Sequence, residues 1–134
     1  MITRQPNVDM QEFASIARDL PATSATTTYA LFTAQRTFRV TAIELIVDTT
    51  YAADPANYYS IAIQVGGRTV GTWSTQTSAQ GAITGGTPAS VPLATESGQN
   101  RVAAKADVVT LVATKHGTAA NITARVVVHG IYVG

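Results

Sequence analysis

The chain has 134 residues and a formal net charge of +1, with only 13% charged residues against about 25% in an ordinary soluble domain. It has no cysteine, which excludes disulfides, thiol nucleophiles and thiolate metal sites. Acidic and basic residues are mixed along it, with no basic run to track a phosphate backbone and no apolar run of bilayer length, so neither nucleic acid nor a membrane is an expected partner.

Residues 1–27 differ in kind from the rest. Asp9 and Glu12 have capping-box spacing, and Phe13, Ile16, Ala17 and Leu20 follow at helical intervals. Pro21 ends that pattern. The spacing predicts a short amphipathic helix, too short to be stable alone, or else an extended arm that orders on a partner. The expected organisation is an arm or short helix over residues 1–27 and a β-sandwich domain over residues 28–134. On that reading, deleting residues 1–20 leaves the sandwich folded. No basic segment leading into an apolar run opens the sequence, so a secretory leader is not expected.

From Thr28 onward, alternation replaces the helical period. Residues 29–33 and 38–47 read as the first strand pair. In the second of these, Phe38 and Val40 share one parity while Ile43, Leu45 and Val47 share the other. A phase change at Thr41 and Ala42 predicts a β-bulge, a strand that passes between sheets, or burial on both faces. Residues 48–57 form a loop with Asp54 and Pro55 as its turn signal. Residues 58–65 and 68–75 flank Gly66 and Gly67, a hairpin signal, because glycine reaches the positive φ angles of tight turns. Tyr59, Ile61, Ile63 and Val65 lie on one face. Val70 and Trp73 fall on opposite parities, which places one of them at an edge or an interface.

Residues 76–89, rich in Gly, Ser, Thr and Ala, read as a loop that is mobile or ordered by a partner. Short strands follow near residues 91–93 and 101–103, the first demoted to an edge by Pro88 and Pro92. Residues 107–114 and 121–133 then read as two long strands folded back on each other around residues 115–120, a closing hairpin. The expected fold class is all-β, an antiparallel β-sandwich with jelly-roll topology preferred over an immunoglobulin-like one.

The sequence carries few signals of chemistry. His116 and His129 are the only histidines, and their spacing makes no metal-ligand pattern; surface or interface imidazoles are the default. Asp48, Asp54 and Asn57 lack a calcium-loop pattern and read as turn formers. Glu44 shares its parity with Phe38 and Val40, but nothing positions a second carboxylate for glycoside hydrolysis. No serine sits in a nucleophile elbow, no nucleophile–base pair emerges, and no glycine-rich phosphate loop follows a strand. No catalytic residue, metal or cofactor is therefore assigned, and an enzyme is not expected.

Lysine occurs only at Lys105 and Lys115, although soluble monomers ordinarily use lysine and glutamate to protect sheet edges. The expectation is a surface covered by partners; the alternative is a neutral domain that is simply soluble. The order of the pieces is a polar arm, a strand pair running into an Asp/Pro loop, and a Tyr-rich strand with a tight turn and Trp73. A Gly/Ser/Thr loop follows, then the step from Arg101 to Asp107 into the last strands. This layout resembles the small jelly-roll decoration, or cement, proteins on the heads of tailed bacteriophages. The resemblance implies a non-enzymatic structural protein that binds the major capsid protein on the outside of an assembled capsid, commonly as a homotrimer. It also implies synthesis in the host cytoplasm and residence on the virion surface. It extends to tail and fibre β-modules, whose alternative role is receptor or glycan recognition. The interface candidates are Phe13 with Ile16 on the arm, and Tyr51, Tyr58 and Trp73, since buried aromatics dominate interface energetics.

Overall fold

A computed structural model describes residues 10–14, 18–20, 25–76, 82–93, 101–119 and 121–133. Among them the chain forms ten strands: β1 (Met10–Ala14), β2 (Arg18–Asp19), β3 (Thr26–Thr33), β4 (Phe38–Val47), β5 (Tyr58–Val65), β6 (Arg68–Ser74), β7 (Ala89–Ser90), β8 (Val102–Ala103), β9 (Val108–His116) and β10 (Thr123–Tyr132). Sheet A runs β1-β10-β4-β7, with β2 on β10 and β8 on β4; sheet B runs β3-β9-β5-β6. Every ladder is antiparallel. With β1/β2 and β7/β8 each taken as one interrupted strand, this is the jelly-roll order, in which the chain passes repeatedly between two facing sheets.

Alternation builds the core. In β5, Tyr59, Ile61, Ile63 and Val65 are buried while the residues between them are half-buried on the other face. Val109, Leu111 and Ala113 of β9 point inward with them, toward Ile43, Leu45 and Val47 of β4 and Ala124, Val126 and Val128 of β10. Gly66 and Gly67 turn the β5–β6 hairpin with φ of 55° and 84°, as expected of a two-residue turn whose twist matches the strands.

The phase change in β4 is a bulge. Ala42 pairs with His129 and Val40 with Gly130, so Thr41 is the extra residue, and Thr41 and Ala42 are both exposed. A second bulge corrects the reading of β6. Gln64 pairs with Thr69 and Ile63 with Gly71, leaving Val70 as the added residue. That insertion changes the parity, so Val70 and Trp73 both reach the core, and neither is forced to an edge.

Four further expectations are corrected. Residues 10–14 are a strand and not a helix, pairing with β10 from Met10↔Ile131 to Ala14↔Val127. The long edge of β10 offers a row of backbone partners that a helix of about a dozen residues, unstable alone, cannot outbid. Sheet A thus takes strands from within residues 1–27. The closing hairpin is likewise absent: β9 lies in sheet B and β10 in sheet A. After His116 the chain leaves sheet B and enters sheet A at Thr123, instead of turning within one sheet. The strand pair at residues 29–33 and 38–47 divides between the sheets in the same way. Finally, the described part of the glycine-rich loop is anchored, since Ile83 is 2% exposed and bridges Tyr51.

Candidate docking face

The two outer faces of the sandwich differ in charge. On sheet B the positions alternating with the core are Tyr58, Ser60, Ala62 and Gln64 of β5 and Thr110, Val112, Thr114 and His116 of β9. Thr72 and Ser74 of β6 continue this face on one side, and Thr26, Thr28 and Ala30 of β3 on the other. Not one of these is Asp, Glu, Lys or Arg. Two pairs of their polar groups meet across strands: Thr26 and Thr114 share a hydroxyl–hydroxyl bond of 2.8 Å, and Ser60 Oγ lies 3.1 Å from His116 Nε2. The Tyr58 ring stacks on His116 at 4.2 Å. Small side chains at Ser60, Ala62, Thr72, Ser74, Val112 and Thr114 leave a shallow depression of about 260 Å³.

Sheet A presents Glu12, Arg39, Glu44, Arg125 and His129 instead. His129 Nε2 is 2.6 Å from Glu44 Oε1, and its Nδ1 is 3.8 Å from Glu12 Oε2. The two carboxylates flank opposite ring nitrogens, so the three groups cannot converge on one ion. Among the described residues no group of three potential ligands gathers to hold a metal.

The Ser60–His116 contact escapes a sequence reading because 56 positions separate the two residues and only the Tyr58↔His116 register brings them together. Among the described residues no carboxylate holds the other imidazole nitrogen, and Tyr58 covers the ring. The neighbouring strand backbone is committed to the β5 ladders, which leaves no converging N–H donors for an oxyanion. The pair is a surface hydrogen bond.

The sequence candidates are scattered. Phe13 packs inside the sandwich against Phe32 and Phe38, with centroids 4.9 and 5.0 Å away. Ile16 lies outside the described residues. Tyr51 is buried, its hydroxyl donating to the Asn57 carbonyl at 3.0 Å and its ring edge-on to Tyr59. Burial pushes the Tyr51 and Tyr59 phenols above their ordinary range. Trp73 is buried opposite Ile61. Tyr58 alone of the described candidates lies on the outer face of sheet B. Asp54 is a turn former, as its residue type suggests: its Oδ1 accepts the N–H groups of Ala56 and Asn57, which holds its carboxyl below the usual range. The uncharged face was legible as the parity complementary to the core in residues 58–65 and 108–116.

No protein-family description matches the chain, and no curated protein matches it. Among solved structures, a chain of the infectious bursal disease virus Gx strain overlaps it with a TM-score of 0.44 at 14% identity, over 100% of this chain and 37% of that one. The VP2 subviral particle of the same virus overlaps it with a TM-score of 0.27, also at 14% identity, over 99% of this chain and 46% of that one. This chain therefore spans less than half the length of either. The overlaps decide neither family nor role, and the jelly-roll assignment rests on the strand order itself.

Proposed function

We propose that this protein is a non-enzymatic structural component that docks on a repeating protein surface, the outside of an assembled bacteriophage capsid, and cements it. The observation that carries this reading is the uncharged outer face of sheet B, set against the charged outer face of sheet A. Covering Ser, Thr, Ala and Val side chains forfeits far less hydration than covering charges, and the hydroxyls of Thr26, Thr114 and Ser60, already paired across strands, need few new partners. The layout resemblance to capsid cement proteins points the same way.

Size shapes the mode of attachment. Four strands about 4.8 Å apart and about seven residues long present roughly 400 Å², about half of one partner's share in a standard interface. One such contact is weak. Attachment to many identical subunits, or through a homotrimer, multiplies it. The partner on this reading is the major capsid protein, and the location is the virion surface after synthesis in the host cytoplasm.

Glycan recognition by a tail or fibre module rests on the aromatics Tyr51, Tyr58, Tyr59 and Trp73; three of these are core residues, and Tyr58 alone remains on an outer face. Co-sedimentation with undecorated phage heads at micromolar protein tests the proposal. The expected result is saturable binding by the parent chain and loss of binding by Ala62→Glu, whose new charge lies in the middle of the face. Absence of co-sedimentation, or an Ala62→Glu variant that binds like the parent, overturns it.

A further inference from the structure

Among the described residues β1 is an edge strand paired with β10 alone, and the residue facing Glu12 across that ladder is His129. His129 also pairs with Ala42 of β4 on its other side, so its ring sits in the middle of three strands. Glu44 lies at one nitrogen at 2.6 Å and Glu12 at the other at 3.8 Å. We propose that His129 is a proton-dependent latch for β1: its imidazolium ties Glu12 and Glu44 together across the sheet, and deprotonation loosens β1.

Donor supply distinguishes the two ring forms. Two ionised carboxylates are acceptors only, while a neutral imidazole has one N–H and one lone pair. Only the imidazolium serves both glutamates. On losing a proton the ring keeps its N–H toward the nearer partner, Glu44. Its other nitrogen then turns a lone pair toward the Glu12 carboxylate. The weakened contact is the one that reaches β1, while the β10–β4 ladder keeps its bond.

The remaining groups around the ring do not substitute. Ala42 and the same-face neighbours Val127 and Ile131 are uncharged. Arg39 and Arg125 lie farther along the face, opposite Ile131 and Ile46, and Ser90 pairs opposite Glu44. Among the described residues neither arginine is ion-paired to Glu12 or Glu44. Phe13 and the ladder itself still hold β1, so the latch tunes the edge without deciding the fold. Loosening β1 bares the backbone of β10, which is then an open edge for another strand.

Hydrogen exchange on the full chain tests this, with protection of the amides of residues 10–14 corrected for intrinsic rates at about pH 5.5 and about pH 8. Protection is expected to be about two- to fivefold lower at the higher pH, the range that a partly exposed ion pair supplies. In Glu12→Gln, an exposed substitution whose amide meets both ring forms alike, the difference should vanish. The proposal is overturned by equal protection at both pH values in the parent, by a pH dependence that survives in Glu12→Gln, or by a parallel loss at Leu111 in β9, which marks opening of the whole sandwich.

Discussion

At the scale of residues, Trp73 sits opposite Ile61 with its indole in the core and, among the described residues, no acceptor for its Nε1–H. Its contribution is packing. Trp73→Ala should lower stability by about 3–5 kcal/mol, read by chemical denaturation. Tyr51 and Tyr59 make a different prediction. Both phenols hold their protons to higher pH than exposed ones, chiefly because burial penalises the phenolate. Their contribution is complete below about pH 10, where unfolded tyrosine titrates, and is lost as pH rises through the folded values. Stability should therefore fall on the alkaline side of about pH 10, and Tyr51→Phe should flatten that slope in thermal melts followed against pH.

At the scale of elements, bulges decide which face a strand shows. The β4 bulge at Thr41 brings Gly130 opposite Val40. A Cβ on Gly130 would come within 2.6 Å of the Phe38 ring and 2.9 Å of the Arg39 carbonyl. Phe38 is fully buried and has nowhere to move. Gly130→Ala should cost about 1–3 kcal/mol, measured as a shift in denaturation midpoint, while Gly67, with open space at its Cβ position, is limited only by its φ. The β1 ladder also bears on truncation. Deleting residues 1–20 removes β1 and β2 from sheet A and the Phe13 ring from the Phe32–Phe38 stack, so the truncated chain should melt at a lower temperature than the parent.

For the molecule as a whole, the separation of charge between the two outer faces makes the proposed docking testable by salt. Contact through the outer face of sheet B buries no formal charge, so its strength should change little between about 0.05 and 0.5 M salt, whereas contact through sheet A would weaken by screening. Co-sedimentation across that range separates the two. A solution mass of three chains by light scattering would support the homotrimeric form of the proposal, and a strict monomer would remove it. Self-association matters here because a face of roughly 400 Å² falls short of a standard interface taken alone.

Much of the architecture was present in short-range pattern. Alternation in residues 58–65, the Gly66–Gly67 turn and the parity break at Thr41 each depend on neighbours a few positions away, and the sheet pleat converts them directly into inside and outside. Strand partners obey no such local rule. Residues 107–114 and 121–133 have the alternation of a hairpin, yet each satisfies its backbone with strands distant in the chain and meets the other only across the core. The helical spacing around Phe13 lost to the open edge of β10, since a long ladder outweighs a marginal helix. The Glu12–His129–Glu44 arrangement and the breadth of the uncharged face were decided by tertiary structure, because ladder register alone determines which side chains become neighbours.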